Sequence, residues 1–371
     1  MPENKGRVLY VGGFELPDRN AAAHRVLNNA KILKMLGYDV VFCGVDNEIT
    51  AFSSTPNDVF GFESYPLPYP KSTKQWVKQM CDISAYTEIL EKYPDIKFIF
   101  AYNLHALPLA SLLRLAKKKG IRLISDCTEW YEHKFSIQPT KFIKWLDTLL
   151  CMCGYHKKCD GMIAISNYLR DYYQKHIKSI IVLPPLVDLS DEKYSGEKRE
   201  NKTTTLVYSG SPAASKEALG EVVKCLNKFK NLNFKLRVVG VTRERFVEIY
   251  GIEPNDQKID FLGRVSHIEA LTEVKKADYS VIIRPRTRVT MAGFPTKFAE
   301  AISCGTAVIA NDTSDLSSYL RDNKNGYIVS LEDLEKDLYK IISSGEKPLV
   351  ENDTFDYKNW VLNFEEFINN L

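Results

Sequence analysis

The chain has 371 residues, which at roughly 100–200 residues per domain suggests two domains, with three as the outer bound. Its 50 Lys and Arg against 47 Asp and Glu leave +3, too even a balance for a dedicated nucleic-acid binder, so no nucleic-acid partner is expected. With 44% apolar and 26% charged residues it reads as a well-cored globular protein, which excludes disordered and collagen-like classes.

Short β-branched or aromatic runs alternate with longer helical patterns. In the first half, strands are predicted at 7–11, 38–43, 97–101, 121–125, 161–165 and 180–183, with helices at 20–36, 73–92, 105–119 and 140–157. Cys151, Cys153, His156 and Cys159 fall close together, but a C-x-C spacing on a helical stretch with no second pair favours packed thiols over zinc. The polar run DLSDEKYSGEKRENKTT, residues 188–204, reads as a boundary. After it, strands are predicted at 205–209, 233–239, 258–262, 279–283, 306–310 and 327–329. Helices are predicted at about 214–229, 242–250, 266–276, 296–303, 314–321, 331–343 and 356–370.

Such alternation is the α/β class, with parallel sheets covered by helices on both faces. The two halves open alike, RVLYVGGF and TLVYSGSP, each an apolar strand running into a glycine turn. Two doubly wound, Rossmann-like domains facing a cleft are expected, with a small polar ligand beyond the strand ends. Neither turn is G-x-G-x-x-G, so no dinucleotide cofactor is expected. No stretch approaches the roughly 20 apolar residues that cross a bilayer. The opening MPENKGRVLY lacks a secretory pattern, so a cytoplasmic setting is expected. Residues 139–158 mix Lys141, Lys144, Lys157 and Lys158 with Phe142, Trp145 and Leu149. They read as a helix packed on its own domain or as one lying on a membrane.

The window from Asp278 to Glu300 carries the most chemistry. Between those two acids lie no others, but four bases: Arg284, Arg286, Arg288 and Lys297. A strand end, a loop with Gly293, and a helix start capped by the Thr296 hydroxyl would together make an anion site. Arg forks suit phosphate, and a solvated basic loop is the alternative. Glu300, one turn in, can accept two vicinal hydroxyls of a ribose, or simply lie on the surface. Gly210 turns the chain after another strand, and Lys216 follows where a diphosphate could meet it. In the first half, Gly12 and Gly13 follow the first strand and lead to His24. His105 sits just past the strand ending at Ala101. Asp126, Glu129 and Trp130 pair carboxylates with an aromatic platform, which suits carbohydrate hydroxyls and also an ordinary loop.

At these residues the sequence resembles glycosyltransferase family 4, the retaining GT-B group, over nearly the whole chain. AGFPTKFAEAISCGTAVIAND, from Ala292, is similar to that family's donor signature E-G-F-G-x-x-x-x-E-A-x-A-C-G-x-P-V-I. GGF with NAAAHRV, FLGRVSHIEALTEVKKADYSV and IAISNYLRDYY are similar to further family segments. RVTMAGFPTKFAE with DCTEWY resembles enzymes of capsule, O-antigen or exopolysaccharide assembly. The resemblance implies an acceptor domain over 1–187, onto which helix 355–371 packs back, and a donor domain over 188–354. It implies a UDP- or GDP-sugar as co-substrate, a glycan or polyprenyl-linked acceptor, and no metal or other cofactor. Catalytic roles would fall to Lys216 at the diphosphate, Glu300 at the ribose and His105 at the transferred sugar. The donor would be held by Gly12, Gly13, Gly210, Arg284, Arg288, Gly293, Phe294, Thr296 and Lys297. His24, Asp126, Glu129 and Trp130 are the acceptor-side candidates.

Three positions depart from the family pattern. Ala292 replaces the first signature Glu, Ser211 replaces an Arg that usually accompanies the diphosphate Lys, and Pro295 removes a backbone donor. Arg284, Arg286, Arg288 or Lys297 would then supply the missing charge. Two other functions fit the same pattern: a nucleotide-sugar epimerase, and a non-catalytic donor-binding subunit, the latter supported by Ala292.

Overall fold

A computed structural model describes residues 4–132, 134–196, 202–210 and 216–371. The chain divides into two units, Met1–Leu186 with Tyr357–Leu371, and Val187–Asp356.

The first unit runs β1 (Gly6–Gly12), α1 (Ala21–Met35), β2 (Tyr38–Cys43), β3 (Val45–Asp46), β4 (Asn57–Val59), β5 (Phe62–Ser64) and β6 (Leu67–Pro68). There follow α2 (Thr73–Gln79), α3 (Ser84–Lys92), β7 (Ile96–Tyr102), α4 (Ala106–Lys119), β8 (Arg122–Cys127), α5 (Pro139–Leu150), β9 (Gly161–Ala164), α6 (Asn167–Tyr173) and β10 (Ser179–Val182). Its main sheet has the order β10-β9-β8-β7-β1-β2-β5-β4. Pairing is parallel throughout except for β4 against β5. The central strands are apolar on both faces because helices cover both. Val8, Tyr10 and Phe42 pack on one side, Leu9, Val11 and Ile99 on the other.

The second unit comprises β11 (Thr204–Ser209), α7 (Leu219–Leu226), β12 (Phe234–Val239), α8 (Arg243–Tyr250), β13 (Ile259–Gly263), α9 (His267–Lys276), β14 (Tyr279–Ile282), α10 (Arg288–Ala292) and α11 (Thr296–Ser303). It continues with β15 (Ala307–Asn311), α12 (Leu316–Tyr319), β16 (Gly326–Val329) and α13 (Leu334–Ser344). Its six-stranded sheet is wholly parallel, in the order β13-β12-β11-β14-β15-β16. That is the doubly wound order, with a switch point between β11 and β14. The corresponding switch in the first unit lies between β1 and β7, where strands of distant sequence become neighbours.

A final helix, α14 (Val361–Asn369), follows a 3₁₀ turn over Tyr357–Trp360 and belongs to the first unit. Its Phe364 and Phe367 join the core beside Phe100 and Ile181. Gly161 on β9 makes room for it, since a Cβ there would lie 2.4 Å from Leu371. The same unit is clasped by α1. Arg25 donates to the Leu183 carbonyl (3.0 Å), Asn28 to that of Leu186 (2.7 Å), and the Lys31 ammonium lies 5.7 Å from the Tyr357 ring centre.

Several elements differ from the sequence expectation. The single helix over 73–92 is two, because the Asp82 carboxylate accepts from Ser84 N–H (2.9 Å) and starts α3 afresh. Helix 140–157 leaves the α-form after Leu150 for a π-turn over Cys151–Tyr155. Of the four residues weighed for zinc, Cys151 Sγ faces the Leu104 carbonyl (3.3 Å), Cys159 Sγ that of Tyr155 (3.7 Å), and His156 Nδ1 lies 2.6 Å from the Ser125 hydroxyl. Helix 314–321 shrinks to Leu316–Tyr319. Strands β3 to β6 are too short for a period to register.

Burial lowers the His156 pKa from 6.5 to about 4. The unfolded chain therefore takes up a proton, as pH falls below 6.5, that the folded chain refuses. We expect unfolding free energy to drop by about 2 kcal/mol more between pH 6.5 and about 5 in the wild type than in His156→Gln, read from urea midpoints at each pH.

Candidate functional site

The two switch points gather most of the candidate residues, each within its own unit. In the second unit, β11 is followed by Gly210, whose φ of +135° suits glycine. A Cβ there would lie 2.5 Å from Lys297 Cε, so the missing side chain is what admits Lys297. Ser211 lies outside the described residues. The chain then reaches Lys216 and Glu217, and Ala218 N–H is pinned to the Ile283 carbonyl at the end of β14 (2.8 Å). Beyond β14, Asn311 on β15 clamps residue 284 reciprocally: Arg284 N–H donates to its Oδ1 and its Nδ2 donates to the Arg284 carbonyl, both 2.8 Å.

Charges in this window have partners that sequence proximity could not name. Arg284 is buried, and its Nη1 donates to the carbonyls of Thr290 and Gly293, both 3.3 Å. Through Nη1 it braces the glycine turn. Lys297 is paired with Glu217, lies 3.2 Å from the Tyr208 hydroxyl and stacks 4.3 Å from that ring's centre. Burial pulls its pKa down while Glu217 pulls it up, and burial prevails. Arg286 faces Asp312 at 3.5 Å, and Arg288 is exposed on the first turn of α10. The cap also moves. Pro295, extended at φ −73° and ψ 115°, is the N-cap of α11 without a side-chain bond, and Thr296 is the first helical residue. The capping hydroxyl belongs instead to Thr287, reciprocated by Thr290, at α10. Gly293, Phe294 and Pro295 are buried, and Ala292 at the end of α10 is fully enclosed. Glu300 accepts from His267 Nε2 at 3.0 Å. That partner lies 33 residues away, at the start of α9, and no motif marks it.

In the first unit, Gly12 has φ +147°, and a Cβ would collide with the Tyr102 carbonyl at 2.1 Å. Gly13 is exposed, with open space where a Cβ would stand. Across the switch, Asn103 takes φ +45° and donates to Thr128 Oγ1 (3.0 Å). His105 then opens α4. Its Nδ1–H donates to Asp147 Oδ2 (2.8 Å), whose other oxygen accepts from Ala106 N–H (2.7 Å), and the ring meets Trp76 edge-on at 6.0 Å. His105 keeps 39% of its side chain exposed, and with Nδ1 on Asp147 its other ring nitrogen is Nε2. Asp147 went unnoticed in the sequence because it lies 42 residues away on another helix.

The acceptor-side candidates differ in burial and in partners. Asp126 is fully buried: Arg25 Nε donates to it at 2.8 Å, Tyr10 OH donates to it, and Asn29 sits 3.4 Å away. Its pKa is raised by burial and held back by Arg25. It is a core ion pair, not a hydroxyl acceptor at a surface. Trp130 is buried edge-on against Tyr172 at 4.8 Å, so its face is no platform. Glu129 is half-buried and His24 pairs with Asp18.

Residues 22–191 match the family model "Glycosyltransferase Family 4", and residues 190–350 match "Glycosyl transferases group 1". The chain belongs to glycosyltransferase family 4. Among curated relatives it is 25% identical over 205 residues to the GalNAc-alpha-(1->4)-GalNAc-alpha-(1->3)-diNAcBac-PP-undecaprenol alpha-1,4-N-acetyl-D-galactosaminyltransferase of Campylobacter jejuni, covering 52% of this chain and 54% of that protein. The chain thus spans about half the length of that relative. Solved structures of similar fold include the sucrose-phosphate synthase of Thermosynechococcus elongatus, at TM-score 0.70 and 14% identity over 98% of each chain. The lipopolysaccharide outer core galactosyltransferase WaaB, apo form, aligns at 0.62 and 15% over 98% of this chain and 99% of that one. Anabaena HepE with UDP and glucose aligns at 0.64 and 11% over 99% and 100%. The family 4 fold is therefore GT-B, built from the two parallel-sheet units described.

The contacts separate architecture from chemistry in a measurable way. Asp126→Ala leaves Arg25 buried without its carboxylate, and we expect about 3–5 kcal/mol of stability to be lost in urea unfolding. Asp147→Ala, which removes a part-buried carboxylate held by His105 and Ala106 N–H, should cost less, about 1–2 kcal/mol.

Proposed function

We propose that this family 4 chain transfers a sugar from a nucleoside-diphosphate sugar to a glycan or polyprenyl-linked acceptor, with retention at the anomeric carbon and without a metal. The observation that carries this reading is the α11 start at the β11/β14 switch point, beside Gly210 and the Lys297–Glu217 pair. A helix N-terminus at a switch point is where a diphosphate binds best. HepE is solved with UDP and with UDP-glucose, and the C. jejuni relative's name carries an undecaprenyl diphosphate. Those names support the donor and acceptor classes. The motif resemblance supports a pathway of capsule, O-antigen or exopolysaccharide assembly, at the cytoplasmic face of the membrane.

In this reading the bond from anomeric carbon to phosphate breaks and the leaving diphosphate gains charge. Lys216 and the backbone N–H groups at Thr296 and Lys297 stabilise that charge, so protein groups stand where a metal would. Glu300, oriented by His267, takes the ribose hydroxyls. Lys297 acts through Glu217, holding the neighbouring Lys216 loop against α11. Arg284 keeps the Gly293 carbonyl in place. His105, its tautomer set by Asp147, meets the transferred sugar through Nε2. The acceptor attacks from the face the diphosphate leaves, and that phosphate takes its proton. A second reading, a donor-binding subunit without transfer activity, is favoured by the buried Ala292 where the family has Glu.

Lys216→Ala and Glu300→Ala should each weaken a UDP- or GDP-sugar about tenfold or more in calorimetry. Unchanged affinity in both would remove the site assignment. His105→Ala should keep donor affinity and lower transfer about a hundredfold. Donor binding by the wild type with neither hydrolysis nor transfer would establish the second reading instead.

A further inference from the structure

Helix α5 is oriented against the usual rule. An amphipathic helix in a globular unit turns its apolar stripe to the core. Here all 12 residues of α5 keep at least partial exposure. Phe142, Trp145, Leu146 and Leu149 recur at the spacing of one helical face, and three of them are among the exposed large apolar side chains. The segment leading in adds Phe135, 62% exposed, and Ile137, 88% exposed. Phe135, Phe142 and Trp145 form one aromatic cluster, with ring centres 5.2 to 6.1 Å apart. Lys134, Lys141 and Lys144 are exposed around this patch. The acid of α5, Asp147, is turned the other way and spent on His105 and Ala106. Among the described residues no helix is long and apolar enough to cross a membrane, so any bilayer contact there is peripheral.

We propose that α5 with residues 134–137 is a docking surface for an anionic lipid bilayer. Bulky apolar and aromatic side chains would enter the headgroup boundary while the lysines meet anionic headgroups. Charge complementarity selects this occupant, because a purely apolar partner would leave the lysines desolvated. The consequence for catalysis rests on the function proposed above. His105 hangs from the inward face of the same helix, so docking would set it about one helix diameter, ~10 Å, from the bilayer. That favours an acceptor sugar carried on a membrane lipid over a free glycan.

The test is co-sedimentation of the full chain with phosphatidylcholine vesicles containing about 30% phosphatidylglycerol, beside pure phosphatidylcholine vesicles. Binding is expected to the anionic vesicles alone and to fall as salt rises. Phe142→Ser/Leu146→Ser/Leu149→Ser and Lys141→Glu/Lys144→Glu should each reduce it about tenfold, with melting temperature and donor affinity unchanged. No binding by the wild type, or binding by both variants equal to the wild type, overturns the docking surface. So does light scattering that shows a dimer which the triple variant converts to monomer, since the face would then cover a second copy. Donor affinity is read separately, so loss of nucleotide-sugar binding in the wild type would count against the proposed function and leave docking standing. Asp147→Asn should keep vesicle binding and donor affinity but lower kcat, not raise KM, for a vesicle-borne acceptor. An unchanged kcat would remove the link to His105.

Discussion

A doubly wound parallel sheet has one place where neighbouring strands send their connections to opposite faces, and the rest of this chain is arranged around it. Between β1 and β7, and again between β11 and β14, the departing loops leave a gap floored by backbone. Helix starts and glycine turns collect there because they are what the geometry leaves. Gly12 must lack a side chain for β1 to lie against Tyr102, and Gly210 must lack one for Lys297 to enter. Function is available at these edges before any catalytic residue is chosen.

The chain spends much of its charge on holding those edges still. Arg284 braces two carbonyls of the glycine turn, Lys297 ties α11 to the residue beside Lys216, and Arg25 neutralises Asp126 beneath α1. Each carries a structural contact that its place in the sequence does not announce. Beside these braces the edges hold backbone N–H groups, a helix start, and a few part-exposed side chains backed by a partner, Glu300 by His267 and His105 by Asp147. A site of that kind is fixed in place before its ligand arrives.

Much of the fold could be read in advance because buried parallel strands are short apolar runs and nothing else in the chain resembles them. RVLYV, YDVVFC and KFIFA fall where β1, β2 and β7 form. The two- and three-residue strands β3 to β6 carry no such signal, and a new N-terminus at Ser84 depends on one carboxylate. The segment from Ala292 to Glu300 stood out by family pattern, and with the loop before it by a run of bases. The partners of its charges did not: Glu217 is 80 residues from Lys297, and His267 is 33 from Glu300. Composition marks a charged residue, but only the folded chain says whether another charge has already claimed it. Asp126 and Trp130 show the same limit from the other side, since both lie where a strand end leads and both turn inward.

The return of α14 orders events during synthesis. Its phenylalanines fill a bed made by β1, β7 and β10, yet residues 357–371 leave the ribosome only after all of Val187–Asp356. Until then the first unit carries an open apolar trough around Phe100 and Ile181, while the second is a contiguous piece of chain that closes by itself. The unit begun first is therefore the one finished later, and its trough is the surface a chaperone would need to shield in the interval.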